Sequence, residues 1–222
     1  MTSLLLRSGT YRDAFRFVRE DHALAEKKDD FVIKRFIHKR DFAARDMYKI
    51  RKEASIFDQL SGSPVVLDMY GYCGGSIFLE SMDINLWKHV IYQKKKGQYS
   101  QRKLDKMNHP SMNNFTITEK LQMTIDMAES LAAMHGNEGG EIIHFDVHIE
   151  QWLLNSQGKT KLNDFNNAAI ATWNDNQREY CYHTRSYSGI YHSPEEYGAG
   201  GISDAKVDVY SLGNNIYTLV SF

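Results

Sequence analysis

Two aspartates, Asp146 and Asp164, stand where phosphoryl-transfer chemistry would need acidic groups. Asp146 lies in Ile142-Ile143-His144-Phe145-Asp146-Val147-His148-Ile149-Glu150-Gln151-Trp152-Leu153-Leu154, and Asp164 follows in Lys161-Leu162-Asn163-Asp164-Phe165-Asn166. The apolar pairs before His144 and after Gln151 predict short buried strands, with the polar positions between them at the mouth of a cleft. The pattern reads as a catalytic loop and a metal-binding loop joined by a short hairpin.

These loops resemble those of the eukaryotic protein kinases, which read H-R-D-L-x-x-x-N and D-F-G. Here the first becomes His144-Phe145-Asp146 with Gln151 in the Asn place, and the second becomes Asp164-Phe165-Asn166. The resemblance implies that Asp146 orients and deprotonates an acceptor hydroxyl. It likewise implies that Asp164 holds the magnesium bridging the terminal phosphates of ATP.

Other segments follow in the same order as in that family. Phe31-Val32-Ile33-Lys34 resembles the V-A-I-K strand, whose Lys grips the α and β phosphates. Nineteen residues on (53 − 34 = 19), Glu53 lies in a stretch whose Ile50, Ala54, Ile56, Phe57 and Leu60 fit one side of a helix. Glu53 is thereby expected to face the cleft as the partner of Lys34. The ordinary alternative, a solvated surface salt bridge, contributes little, and order and spacing favour the cleft pair.

Tyr191-His192-Ser193-Pro194-Glu195 resembles the segment ending in A-P-E, and Asp208-Val209-Tyr210-Ser211-Leu212-Gly213 resembles the D-V-W-S-L-G start of the large helix beyond it. In the family that helix Asp ties down the backbone of the catalytic loop, so Asp208 is expected to be structural. These two elements separate the protein kinases from small-molecule phosphotransferases. The combination H-x-D-x-x-x-x-Q, L-N-D-F-N and S-P-E-E-Y is similar to that of kinase-like proteins of diatoms and other algae.

The nucleotide roof departs furthest from the family. Ser8-Gly9-Thr10-Tyr11-Arg12-Asp13-Ala14-Phe15 keeps one glycine, Gly9, where the family has G-x-G-x-x-G so that backbone amides can approach phosphates. Tyr11 takes the place of the loop-tip aromatic. Phe145 replaces the Arg that pairs with a phosphorylated activation-loop residue, which argues against activation through that contact. Gln151 keeps a carbonyl oxygen for the metal but adds a methylene, and magnesium tolerates imperfect octahedral geometry poorly. Asn166, replacing the glycine of D-F-G, is the residue type after glycine that best accepts a left-handed backbone.

The elements that must position these residues follow from punctuation and periodicity. Residues 1–82 alternate short apolar runs with turns: Val65-Val66-Leu67, Tyr70 to Gly75, then Ile77 to Glu80. Gly74-Gly75 predicts a hairpin. This is a small, mostly β lobe carrying one helix. Met82 to Asn85 is the expected hinge, where by resemblance the backbone near Glu80 and Met82 would bind the adenine edge, with Leu79 guarding the back pocket. Residues 83–222 form a larger helical lobe. In it Leu86 to Tyr92 starts a helix, and 93–116, with Lys94-Lys95-Lys96 and Gly97, reads as an exposed insertion. Thr118 to His135 is predicted helical with Leu121, Ile125, Ala128, Leu131 and Met134 on its buried face, packed under the catalytic loop.

Length and composition bound the rest. The chain has 222 residues, 42% apolar and 25% charged, with net charge −1, which gives no electrostatic reason to expect nucleic acid or an acidic membrane as partner. Cys73 and Cys181 are too few for a disulfide framework and point to a reducing compartment. No apolar run reaches a membrane span of about 18 residues, so the expected location is the cytoplasm, or the cytosolic face of a longer membrane protein. His144 with His148, and Cys181 with His183 and His192, lack the spacing of zinc sites.

The fold expected is thus α+β, a bilobal protein-kinase-like domain with ATP and Mg2+ in the cleft. The resemblance implies transfer of the γ-phosphoryl group to a protein hydroxyl by Asp146, Lys34 and Glu53. Gly9, Lys34, Glu80, Met82, Gln151 and Asp164 would bind nucleotide, and Asp164 and Gln151 the metal. Ser188 lies seven residues before Glu195 (195 − 188 = 7), where serine/threonine kinases carry a hydroxyl residue. A nucleotide- or partner-binding pseudokinase is the second reading. The family continues beyond the helix starting near Asp208, so a C-terminally shortened lobe is expected. Some combination of Tyr210, Leu212, Ile216, Leu219 and Val220 would then be exposed.

Overall fold

The structure is a computed structural model that describes residues 2–9, 12–18, 30–37, 43–90, 113–183, 189–197 and 202–221. Its N-terminal part, to Glu80, holds a five-stranded antiparallel sheet. Strands β1 (Thr2–Ser8), β2 (Arg12–Val18) and β3 (Phe31–Phe36) precede helix α1 (Ala44–Gln59), and β4 (Met69–Cys73) and β5 (Ser76–Glu80) follow it. The order is β1-β2-β3-β5-β4, so β3, which carries Lys34, is central. Aromatic rings on β2, β3 and β5 brace the sheet: Phe17 stacks on Phe31 at 5.3 Å, and Phe31 meets Phe78 at 6.4 Å. Gly74, at φ 58°, makes the β4–β5 turn in a backbone region that glycine enters without penalty.

Helix α1 buries Ile50, Ala54, Ile56 and Phe57 against the sheet and carries the buried Glu53 on the same side. Val65-Val66-Leu67 is buried but adds no strand to this sheet. Val66 bridges in parallel to Leu162, Leu162 N–H donates to Val65 O at 2.8 Å, and Leu67 N–H donates to Leu162 O at 3.0 Å. The apolar run therefore clamps the strand that leads to Asp164.

The expected hinge contains a short strand, β6 (Ile84–Asn85), followed by α2 (Leu86–Val90). Helix α3 (Ile117–His135) starts on a capping box, Thr116 with Glu119, which satisfies two otherwise orphaned backbone donors. After it come β7 (Ile142–Ile143), β8 (Trp152–Leu154), β9 (Thr160–Leu162), β10 (Ala169–Ile170), β11 (Thr172–Asn174), β12 (Glu179–His183), β13 (Ile202–Ser203) and helix α4 (Lys206–Ser221). One core runs from α1 through β5 to α3 and α4, with Trp152, Phe57 and Phe165 its largest fully buried side chains.

The buried face of α3 differs from the predicted one. Leu131 and Met134 are buried, but Leu121, Ile125 and Ala128 are exposed, and Met123, Asp126, Met127 and Ser130 complete the inner stripe. Two polar residues disguised that stripe, and each is satisfied inside. Asp126 accepts Thr160 N–H at 2.8 Å and the Lys159 ammonium at 2.8 Å, and Ser130 Oγ accepts the Trp152 indole N–H at 3.1 Å.

Of the expected insertion 93–116, residues 93–112 lie outside the described ones. Its described end alternates: Asn114 and Thr116 are exposed, while Asn113 is buried and donates to Leu219 O at 2.8 Å and Phe115 packs on the core. On α4, Tyr210 and Val220 are exposed as expected, together with Val209 and Tyr217, whereas Leu212 and Leu219 are buried. No described helix is long and apolar enough to cross a membrane.

Candidate active site

Sheet register and helix phase bring Lys34 and Glu53 together. Lys34 sits on β3 opposite Ala14 and Ile77, and Glu53 is fully buried on α1. The Lys34 ammonium lies 3.1 Å from Glu53 Oε1, 3.3 Å from Asp164 Oδ1 and 2.9 Å from Asn163 Oδ1. A third element enters the same cluster. Arg12, at the start of β2, is buried, forms an ion pair with Glu53 Oε2 and stands 3.6 Å from Asp164 Oδ1. Two cations thus share two carboxylates.

Burial alone would raise the proton affinity of Asp164. Lys34 and Arg12 beside it more than offset this and hold its pKa below the usual aspartate value. Asp164 adopts the left-handed backbone, φ 67°, and Asn166 Nδ2 donates to its Oδ1 at 2.9 Å. The conformation anticipated for Asn166 therefore falls on Asp164, and Asn166 acts instead as a brace on that carboxylate. Phe165 packs edge-on against Phe57 of α1 at 4.8 Å and against the His144 ring at 5.5 Å. The loop that carries Asp164 is thus packed from both sides.

Asp146 follows β7 in a loop whose polar atoms are tied at both ends. Its Oδ2 accepts Gln151 Nε2 at 2.9 Å and Asn167 Nδ2 at 3.3 Å. Burial, with a smaller contribution from the Asp164 charge, raises the Asp146 pKa above the usual value. Asp208 accepts the backbone N–H groups of His144 at 2.7 Å and Phe145 at 3.0 Å, and lies 3.1 Å from the His135 ring. Asn215, about two turns further along α4, donates to Val147 O at 3.0 Å. Phe145, at φ 59°, is buried with Ile143, Ala169, Ala171 and Val207. His148 lies between the rings of Trp87, 5.7 Å away, and Tyr191, 4.9 Å away, and burial lowers its pKa.

At the hinge, Glu80 N–H donates to Asp68 O at 3.0 Å, so any adenine contact by the Glu80 backbone falls to its carbonyl. Its side chain does something unforeseen, receiving Lys161 of β9 at 2.6 Å, while Lys161 also meets Asp68 at 3.0 Å. Met82 is half-buried against the core. Gly9 N–H donates to Arg12 O at 2.7 Å, and a Cβ at Gly9 would lie 3.1 Å from that same oxygen. Glycine is thus favoured there by the close turn that delivers Arg12. Tyr11 and Ser188 lie outside the described residues.

In the later segment the buried carboxylate is Glu196, not Glu195, which is exposed. Glu196 Oε2 accepts Ser193 N–H at 2.7 Å, and Oε1 lies 3.0 Å from His192 Nδ1. Ser211 of α4 donates to Tyr191 O at 2.7 Å, so one helix holds both this segment and the catalytic loop.

Arg12, Asn167, Asn215 and Lys161 are the residues sequence reading missed. A period-two reading of β2 would have put Arg12 on the face of Ala14, the residue opposite Lys34. Among the described residues no group of three or more His, Cys, Asp or Glu side chains could hold a metal. The Asp164 carboxylate and the Gln151 amide oxygen are hard oxygen donors, whereas Asn163 Oδ1 is held by Lys34 at 2.9 Å. Such a hard, sparse oxygen set fits a cation that keeps water and substrate phosphates as its other ligands.

A sheet with a central lysine, an ion-paired helix glutamate and two loop aspartates, the loop of one of them braced by α4, make up a bilobal fold of α+β class. A family model described as "Protein kinase domain" matches residues 17–222, and the chain belongs to that family. It is similar to a putative wall-associated receptor kinase-like protein of Arabidopsis thaliana, 29% identical over 51% of this chain and 14% of the relative. It is also similar to a G-type lectin S-receptor-like serine/threonine-protein kinase of the same plant, 30% identical over 52% of this chain and 14% of that protein. A PTI1-like tyrosine-protein kinase, again from Arabidopsis thaliana, is 30% identical over 47% of this chain and 28% of its own length. The matches thus span well under a third of each relative. The family in general uses ATP and a divalent metal.

Proposed function

We propose that the domain transfers the γ-phosphoryl group of ATP to a serine or threonine hydroxyl of a protein. The observation that carries this reading is the convergence of Lys34, Glu53 and Asp164 on one wall of the cleft, with Asp146 on the loop beside it. In this reading the N-terminal lobe is 1–82 and the C-terminal lobe 83–222, and the nucleotide lies between them. Lys34, oriented by Glu53, positions the α and β phosphates. Asp164 and the carbonyl of Gln151 would hold Mg2+, which would supply positive charge to offset the charge developing on the phosphates. Asp146 accepts the proton of the attacking hydroxyl, and its burial-raised proton affinity suits that task. Gly9, the Glu80 carbonyl and Met82 line the nucleotide's path from roof to hinge.

Preference for serine or threonine rests on Ser188 and on the serine/threonine-protein kinase name of one relative. Placement in the cytosol rests on the free thiols of Cys73 and Cys181. One observation favours a second reading, a pseudokinase: Gln151 stands where the family has Asn, and its extra methylene displaces the amide oxygen for a metal that tolerates imperfect octahedral geometry poorly. Single-turnover transfer from γ-labelled ATP with magnesium to a generic protein substrate, followed by phosphoamino-acid analysis, tests both. Labelled serine or threonine is expected. Phosphotyrosine alone would overturn the acceptor class, and no transfer despite nucleotide binding would favour the pseudokinase.

A further inference from the structure

The buried Arg12 has no counterpart in the roles read from the family motifs, and it reaches the same wall of the cleft as Lys34. Each oxygen of the fully buried Glu53 carries its own cation: Oε1 has Lys34 at 3.1 Å, and Oε2 has Arg12. From that shared anchor both cations address Asp164 Oδ1, Lys34 at 3.3 Å and Arg12 at 3.6 Å. The four formal charges cancel, so the cluster is neutral when empty of ligand. Once a divalent cation sits on Asp164, both cations lose part of their hold on that carboxylate, and the wall gains a positive surplus where a polyphosphate would lie.

The chemistry of the roof points the same way. With a single glycine there, few backbone amides can come close to phosphate oxygens. A guanidinium compensates, because its planar fork of donors can hold a carboxylate on one edge and a phosphate on another. The Gly9 turn, closed by its N–H on Arg12 O, fixes the arginine backbone at the mouth of that roof.

We propose that Arg12 is a second phosphate-binding residue, contacting the polyphosphate of the nucleotide beside Lys34 and replacing amide contacts that a glycine-rich roof would make. The inference rests on the nucleotide-binding part of the function proposed above and is independent of whether phosphate is transferred.

Calorimetric titration of the whole chain with Mg-ATP and with adenosine separates phosphate recognition from the integrity of the cleft. Arg12→Gln is expected to weaken Mg-ATP binding about tenfold or more while leaving adenosine affinity unchanged, as loss of a charge-assisted contact requires. Arg12→Lys, which keeps the charge but loses the planar fork, should recover only part of the loss. An unchanged ratio of ATP to adenosine affinity in Arg12→Gln would overturn the proposal. So would parallel loss of both ligands in the Gln and Lys variants, which would make Arg12 purely structural. If the wild-type chain bound neither ligand, the nucleotide reading itself would fall. If it bound ATP in an Arg12-dependent way but transferred no phosphate, only the kinase activity would.

Discussion

Asp208 holds Phe145 in a left-handed backbone conformation: its Oδ1 accepts the Phe145 N–H at 3.0 Å while Phe145 sits at φ 59°. A bulky residue in that region costs roughly 1–2 kcal/mol, and the same carboxylate offsets the cost by also taking the His144 N–H at 2.7 Å. Asp146, the next residue, inherits its direction from this backbone.

Replacing Asp208 with Asn leaves only one oxygen for two backbone donors. Asp208→Asn should lower stability by about 1.5–3 kcal/mol, the range for a hydrogen bond to a charged group, and should reduce turnover more than nucleotide affinity. Denaturant unfolding and steady-state kinetics read the two effects. A variant as stable and as active as wild type would contradict the bracing role.

Lys34 and Arg12 share Glu53, so either alone can neutralise it. Lys34→Met should abolish phosphate transfer and weaken ATP binding, yet stay folded because Arg12 remains on the carboxylate. The double variant Lys34→Met with Arg12→Gln leaves a buried, unpaired charge, and should cost about 3–5 kcal/mol, more than the two single changes summed. Additive losses in a thermal-unfolding cycle would rule out the shared neutralisation.

Asp146 must be ionised to accept a proton, and burial raises its pKa above the ordinary 3.8. As pH falls the base is therefore protonated earlier than an exposed aspartate would be, and kcat/KM should begin to drop at a pH above that value. Asp146→Asn should cost about a hundred- to ten-thousand-fold in turnover with nucleotide binding retained. A pH–rate profile flat down to pH 4, or an active Asn variant, would remove Asp146 from the base role.

His192 bonds to the buried Glu196, and that contact raises its pKa above the ordinary 6.5 against the opposing effect of burial. A folded-state pKa above the unfolded one stabilises fully below the unfolded value and is lost as pH rises through the raised folded value. The wild type should therefore lose more melting temperature than His192→Gln as pH rises from below the ordinary histidine value through the raised one. His148, whose pKa is lowered by burial and in smaller part by the His192 charge, works with the opposite sign, so both proteins are compared in a His148→Gln background. Equal slopes for the two proteins would show the His192–Glu196 contact to be pH-neutral.

Much of the frame was local and so legible in the sequence. Apolar pairs around His144 and Gln151 marked β7 and β8, Gly74-Gly75 marked a hairpin, and the phase of Ile50, Ala54 and Phe57 put Glu53 on the buried side of α1. These follow from periods of two and 3.6 residues and from backbone freedom at glycine, which act over a few residues. What only the tertiary structure decided were partners distant in sequence and buried polar groups. Leu121 and Ile125 made a plausible apolar stripe, but α3 turns Asp126 and Ser130 inward because β8 and β9 supply donors that satisfy them there. Glu196 rather than Glu195 is buried because His192 and Ser193 N–H meet it inside. Arg12, quoted only as part of the roof segment, had no role until the register of β2 on β3 and the approach of α1 placed it on Glu53. A charge enters a core only where its partners already wait, and those partners lie 41 residues away for Arg12 and Glu53.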